Sequence, residues 1–339
     1  MTRQPTGPRA STIIVFVALL ALVVCVVMAM LFTAVLNNSR TQQAGIAATT
    51  TVDPRSAALT IAYSPEKAAL MRTLADAFNA EGQRTTDRQA MTIALVELTP
   101  EEMVNQALAG EQTFQALTPD SSLWLDQLNR RWAENYPAGQ EPGTIAPRLT
   151  GESVRYAISP IVIAAWEDVA RSLGWPEQAV GWQTLQTRAQ QDANFRWSHP
   201  STAYASGLLA TLAEFYAGAG VQRGLTNEMV QDQKTIDFVT AIEQTVKFYG
   251  EAELAVIDRV MRDGPQTLDA FVVSEQLVAA FNMGVFGQPP ARLVAIYPAE
   301  GTLWADHPLA LIESANLTVN QRRTFQAFRE FLAQPETQA

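Results

Sequence analysis

Three times between residues 59 and 122 the chain runs a short apolar stretch into a hydroxyl, a proline and an acid: Tyr63-Ser64-Pro65-Glu66, Leu98-Thr99-Pro100-Glu101-Glu102 and Leu117-Thr118-Pro119-Asp120. A hydroxyl that can cap, a proline whose fixed φ suits the first helical position and an acid in the first turn together mark the start of a helix. At Thr99 and Glu102 the spacing is that of a capping box. The apolar runs Leu59 to Tyr63, Met91 to Val96 and Thr113 to Leu117 have strand length, whereas Leu70, Leu74 and Phe78, then Met103, Val104 and Ala107, recur at helical spacing. Strand and helix therefore alternate with short connections. That order predicts a parallel sheet with all three turns on one edge, where ligands bind in open α/β folds.

A Pro/Gly-rich loop, residues 137 to 147, precedes predicted strands at 153–158 and 159–166. Phe195 to Gly220 repeats the opening device: an aromatic strand end, the polar turn Ser198-His199-Pro200-Ser201-Thr202, and a helix carrying Tyr204, Leu208, Leu212 and Phe215. A helix is predicted over 238–249, strands over 268–273, 292–297 and 308–313, and a closing helix over 321–332 with Phe325, Phe328 and Leu332 as its stripe. We divide the globule into lobe I, residues 59–158 plus 292–339, and lobe II, residues 159–291.

From Ile13 to Leu36 the chain has no charge and only Thr33 as a polar interruption. At 1.5 Å per residue this run is long enough for a hydrocarbon core of about 30 Å. Arg3 and Arg9 precede it and only Arg40 follows closely, so residues 1–12 are expected in the cytoplasm, 13–36 in the membrane, 37–58 as a polar linker, and the globule outside the cell. A cleaved secretory signal is the rival, although its apolar region would normally be shorter. The chain carries −10, and Arg3, Arg9 and Arg40 belong to the membrane segment and its flank, so the remainder stands at −13. Nucleic acid is excluded as a partner. The one cysteine, Cys25, lies in the apolar run, and His199 and His307 are the only histidines, so no His/Cys zinc site can be built. No metal or cofactor is expected, although oxygen ligands for a hard cation remain.

Glu275 and Glu300 on predicted loops could form a carboxylate pair for glycoside hydrolysis, but solvated surface acids are the plainer expectation. The segment Tyr204-Ala205-Ser206-Gly207-Leu208 lacks the first glycine of a nucleophile elbow. His199 beside Trp197 is expected to pack or cap. The chain is thus expected not to be an enzyme.

Several segments carry a family resemblance: IAYSPEKAALMRTLADAFNA, EEMVNQALAG followed by FQALTPDSSLWLDQL, GWQTL, HPSTAYASGLL and TFQAFREFLAQPETQ. In this order over residues 59–339 the chain resembles bacterial extracellular solute-binding proteins of the type II periplasmic-binding class, particularly the molybdate/sulfate-like branch. It is similar to solute-binding modules joined to von Willebrand factor A domains in membrane-anchored surface proteins. The resemblance implies an α/β, two-lobed periplasmic-binding-protein-like fold, here behind one transmembrane helix, closing on a small polar solute, an oxyanion foremost. Carried over position by position, the ligand contacts would be Ser64, Thr99, Ser201, Thr202 and Tyr297. Implied partners are the solute, an ABC transporter permease and a von Willebrand factor A domain surface protein. Acids stand in the same first turns (Glu66, Glu101, Glu102, Asp120), so the helix dipoles could be satisfied internally, and a neutral or cationic solute is the second expectation. A surface interaction or sensor module that keeps the fold without transport is the alternative function.

Overall fold

The computed structural model describes residues 53–134, 148–249 and 252–338. The expected membrane segment 13–36 lies outside them, and among the described residues no helix is long and apolar enough to cross a membrane. Eleven strands and twelve α-helices follow one another in these residues. The first part holds β1 (Ala58–Tyr63), α1 (Ala68–Ala80), β2 (Thr92–Glu97), α2 (Pro100–Ala109), β3 (Ala116–Thr118), α3 (Ser122–Glu134) and β4 (Thr150–Arg155). Next come β5 (Ser159–Trp166), α4 (Glu167–Ser172), α5 (Trp182–Gln191), β6 (Trp197–His199), α6 (Ala205–Ala219), α7 (Asn227–Gln231), α8 (Gln233–Glu243) and β7 (Phe248–Tyr249). The last part holds α9 (Glu253–Asp263), β8 (Ala270–Ser274), α10 (Glu275–Asn282), β9 (Leu293–Ile296), β10 (Trp304–Ala305), β11 (Pro308–Ile312), α11 (Val319–Leu332) and α12 (Pro335–Gln338).

Two sheets form, one per lobe. The first has the order β2-β1-β3-β11-β4; the second runs β10-β5-β8-β6-β7, with β9 also on β5. In the first, β1 is parallel to β2 and β3, with Tyr63 beside both Glu97 and Thr118, so the three hydroxyl-proline turns leave one edge together. In the second, β6 is parallel to β7 and β8, which sends the starts of α6, α9 and α10 off one edge as well. The sheets are not wholly parallel as the alternation predicts. The crossing strand β5 is antiparallel to β8 and β9, and the returning β11 is antiparallel to β3 and β4.

Each sheet buries apolar side chains on both faces. Leu59 and Ile61 meet Phe78, Phe325 and Phe328 on one face of the first sheet, while Ala62 and Leu117 meet Met103, Trp124 and Leu128 on the other. Phe78 and Phe328 touch edge to face at 5.3 Å, and each such buried side chain is worth about 1.5–3 kcal/mol in transfer from water. The closing helix also fixes where the globule begins. Asn320, Thr324 and Gln321 donate side-chain hydrogen bonds to the carbonyls of Arg55, Ala57 and Ala58, and the Thr318 hydroxyl to that of Ser56. Residues 55–58, assigned from sequence to the linker, are therefore tied into the globule.

Two further elements differ from expectation. The helix predicted over 238–249 ends at Glu243, and Phe248–Tyr249 pairs with β6 instead, aromatic residues being well suited to a strand. Residues 293–296, assigned from sequence to lobe I, pair with β5 in the second sheet, and the chain returns to the first sheet only at Pro308.

Candidate functional site

Where the two lobes meet, helix starts from both converge, and the residues there are polar and buried. From lobe I, Ser64 follows β1 and is fully buried, Glu66 and Lys67 lie in the single 3-10 turn ahead of α1, and Asp120 lies two residues before α3. From lobe II, Ser206 is in the first turn of α6, Glu253 opens α9, and Ser274 precedes α10. Apolar side chains close the same seam: Ala205 is buried in one cluster with Met103, Phe114 and Trp124, with Leu208 packed against it.

Lys67 is the structural cation of the site. Its Nζ donates to Thr118 O at 2.6 Å, Thr118 Oγ1 at 2.9 Å and Pro119 O at 3.0 Å, and stands 3.5 Å from Asp120 Oδ1. Those three carbonyl and hydroxyl oxygens take all its protons, and the ammonium lies 5.8 Å from the Tyr156 ring centroid. Asp120 balances the charge: burial alone would raise its carboxyl, but Lys67, then His307, outweigh it and hold Asp120 below the usual range. His307 is pinned at φ 34° with its backbone N–H on Asp120 O at 3.0 Å and its Nδ1 3.5 Å from Asp120 Oδ1.

Two more carboxyls have no cation of their own. Glu66 is pushed up to about 8, first by burial and then by the charges of Asp120 and Glu253. Glu253 is pushed up to about 7 by burial and by Asp120, with Ser206 and Ser274 offsetting part of the rise. Ser274 holds Glu253 in place, its N–H donating at 2.8 Å and its hydroxyl at 3.0 Å to Oε1. Around them both Glu66 oxygens and Trp124 Nε1 are buried and make no hydrogen bond within the protein, while Ser64 and His307 face Asp120 and Ser206 faces Glu253. Buried polar atoms are nearly always paired, so the unpaired ones mark a place built for a partner from solution. Beside it opens a cavity of about 410 Å³, lined by Glu66 and His307 and by the apolar Leu70, Leu254, Leu277 and Phe286.

Of the five positions carried over by resemblance, Ser64 alone stands among these residues. The Thr99 hydroxyl is spent in its capping box, accepting from Glu102 N and donating to Glu102 Oε2 at 2.8 Å. Ser201 Oγ accepts from Ala203 N at 3.2 Å within its own turn, and Thr202 is exposed. Tyr297 is 51% exposed and donates to Glu275. The two loop acids considered for glycoside cleavage are likewise engaged: Glu275 takes that tyrosine, and Glu300 accepts the N–H groups of Trp182 and Gln183 at 3.1 and 3.0 Å at the start of α5. Glu66 and Asp120 were visible in sequence as first-turn acids. Glu253 and Ser274 were not, because nothing in a local window shows that α9 and α10 start opposite residues some 190 positions earlier.

A second group of ionisable side chains gathers within lobe II: His199, Glu214 and Glu243 place one ligand atom each within 4.8 Å of the others, the sole such group of three among the described residues.

The bacterial extracellular solute-binding protein family matches residues 59–339. Solved structures share the fold. Iron-bound HitA from Pseudomonas aeruginosa aligns at a TM-score of 0.53 with 15% identity, covering 83% of this chain and 82% of that one. AfuA from Actinobacillus pleuropneumoniae, with fructose-6-phosphate bound, aligns at 0.55 with 13% identity over 83% and 81%. The sulfate-binding protein SubI from Mycobacterium tuberculosis aligns at 0.52 with 14% identity over 83% of each. No curated protein matches the sequence. At these identities the likeness establishes the two-lobed periplasmic-binding-protein architecture, and the ligand has to be argued from the crevice itself.

Proposed function

We propose, since the chain belongs to the bacterial extracellular solute-binding proteins, that its crevice captures a small organic cation, a protonated amine with an apolar body, for an importer of the ABC type. The apolar run 13–36 would hold the globule at the outer face of the membrane. One observation carries the ligand class. The crevice gathers Glu66, Asp120 and Glu253, with both Glu66 oxygens buried and unpaired, and its one lysine already donates to three oxygens of the loop it braces. An oxyanion is disfavoured, because helix N-termini that would serve it are met by the chain's own acids. Glu253 takes Ser274 N ahead of α10, Asp306 takes Ser122 N at the start of α3, and Glu102 takes Thr99 N. A bare metal ion fits less well, since no three crevice groups bring their ligand atoms as close together as His199, Glu214 and Glu243 do.

Of the sequence-based ligand set this assignment keeps Ser64 and adds Glu66, Asp120, Ser206 and Glu253. Glu66, with both oxygens buried and unpartnered, receives the ammonium, and the apolar wall of the cavity receives the body. A thermal-shift screen of the full chain tests it, with alkylamines, arylalkylamines and quaternary ammonium ions set against sulfate, molybdate and neutral sugars. A primary amine at about 100 times its Kd should stabilise the fold by about 2.7 kcal/mol, and Glu66→Gln should abolish the shift. Stabilisation by an oxyanion would refute the ligand class. No response to any solute would favour a surface module that kept the fold without transport.

A further inference from the structure

The group His199, Glu214 and Glu243 lies apart from the crevice. Ser206 faces the seam from the first turn of α6, and Glu214 is eight residues further along the same helix, about 12 Å away at 1.5 Å per residue. We propose that His199 Nε2 and the carboxylates of Glu214 and Glu243 bind one divalent transition-metal ion such as zinc, as a site of lobe II separate from solute capture.

Three observations converge on a cation. His199 Nδ1 lies 2.8 Å from the Pro200 carbonyl, an acceptor only, so Nδ1 carries the proton and Nε2 is turned toward Glu243 Oε2 at 3.2 Å. A ring nitrogen fixed by a backbone carbonyl on one side and directed at carboxylates on the other is the arrangement seen for imidazoles that ligate metals. Second, Glu214 is fully buried and its carboxyl meets no group other than the carboxyl of Glu243. A carboxylate in that position requires a counter-ion or a proton. Third, Glu243 is the last residue of α8, where the helix dipole disfavours an anion. Thr211 Oγ1, one turn ahead of Glu214, donates to Glu243 Oε1 at 3.5 Å.

The His199–Glu243 pair has a spacing that suits the ion. Two ligand atoms each 2.0–2.1 Å from a tetrahedral zinc stand about 3.3 Å apart, close to the 3.2 Å between Nε2 and Oε2. One nitrogen and two carboxylates with no sulfur, on elements that come together from β6, α6 and α8, leave a fourth position for water. The donor set admits zinc and its first-row neighbours rather than a soft ion. Protons shared among the three groups are the competing explanation, since burial and the Glu243 charge raise Glu214 well above the usual carboxylate range.

The two are separated by titrating zinc into the chelator-treated full chain in competition with a chromophoric chelator, and by melting the same samples. The expected result is one zinc per chain and a higher melting temperature. His199→Gln, Glu214→Gln and Glu243→Gln should each weaken binding by more than roughly 100-fold, the scale that loss of an outer partner alone can reach. Glu66→Gln, in the crevice, should leave zinc binding unchanged. Glu214→Gln keeps the test meaningful if another variant fails to fold: without zinc it should melt at or above the parent, and the rise with zinc should vanish. Zinc lost entirely to the chelator, zinc bound equally by parent and Glu214→Gln, or zinc lost on Glu66→Gln would each overturn the site.

Discussion

Replacing Lys67 by methionine tests how the crevice is held together. Methionine keeps much of the volume but removes three charge-assisted hydrogen bonds, to Thr118 O, Thr118 Oγ1 and Pro119 O, and the ammonium 3.5 Å from Asp120. Lys67 is 2% and Asp120 8% exposed, so water does not take over the lost role. Breaking a buried pair from one side costs about 3–5 kcal/mol, because the surviving charge stays desolvated. For a unit of this size that is a fall in Tm of roughly 6–20 °C. Adding Asp120→Asn to Lys67→Met should recover about 1–3 kcal/mol, since the second change removes the stranded charge. Calorimetric melting with urea unfolding as a second probe measures both. A loss below about 1 kcal/mol for Lys67→Met, or a double variant that loses the plain sum of the singles, would show that Lys67 does not brace the 118–120 loop.

The raised carboxyls set a pH dependence of the opposite sense to ordinary acid denaturation. Glu66 and Glu253, at about 8 and 7 in the fold, bind protons that an unfolded carboxyl releases near 4.5, so their contribution is complete below that value and is lost as pH rises through 7 to 8. Asp120, held low, works the other way and is lost in strong acid, so stability without solute should peak at about pH 4 to 4.5 and decline across the neutral range. Glu66→Gln should flatten the alkaline fall, visible as a Tm difference between pH 5 and pH 8.5 that shrinks relative to the parent. At Gly207 an added Cβ would stand 2.2 Å from the carbonyl oxygens of Pro200 and Ser201. Gly207→Ala should therefore cost about 1–3 kcal/mol of folding stability by urea titration; a neutral substitution would mean the turn before α6 yields freely. Protease added to intact cells should digest the globule, whereas a mature form beginning near residue 45 would remove the anchor.

The strands and caps of lobe I were legible because their signals are local: Tyr63-Ser64-Pro65 and Thr99-Pro100-Glu101-Glu102 each carry strand end, cap and helix start within a few residues. The hydroxyls themselves are engaged locally. Thr99 and Ser201 are where a hydroxyl is expected at a turn, and they serve the turn. What makes the crevice is the placing of α9 and α10 opposite α1, through the register of β8 against β5, Ile161 beside Ser274. That pairing joins residues over a hundred positions apart and leaves no mark in a short window. The apolar character of 293–297 was equally visible, yet its partner was not, because a buried strand reads the same in either sheet. His199 was readable as a packed imidazole; that Glu214 and Glu243 reach it depends on how α6 and α8 cross.

The most direct measurement is the proton balance of solute uptake. Calorimetric titration of the amine selected by the thermal screen, at pH 7 in two buffers of different ionisation enthalpy, reports protons released per molecule bound. An ammonium entering beside Glu66 and Glu253 should displace about one proton, and affinity should tighten as pH rises from 6 to 8. Binding with no proton release that survives Glu66→Gln, or an oxyanion that binds with proton uptake, would contradict the assignment of the crevice to an organic cation.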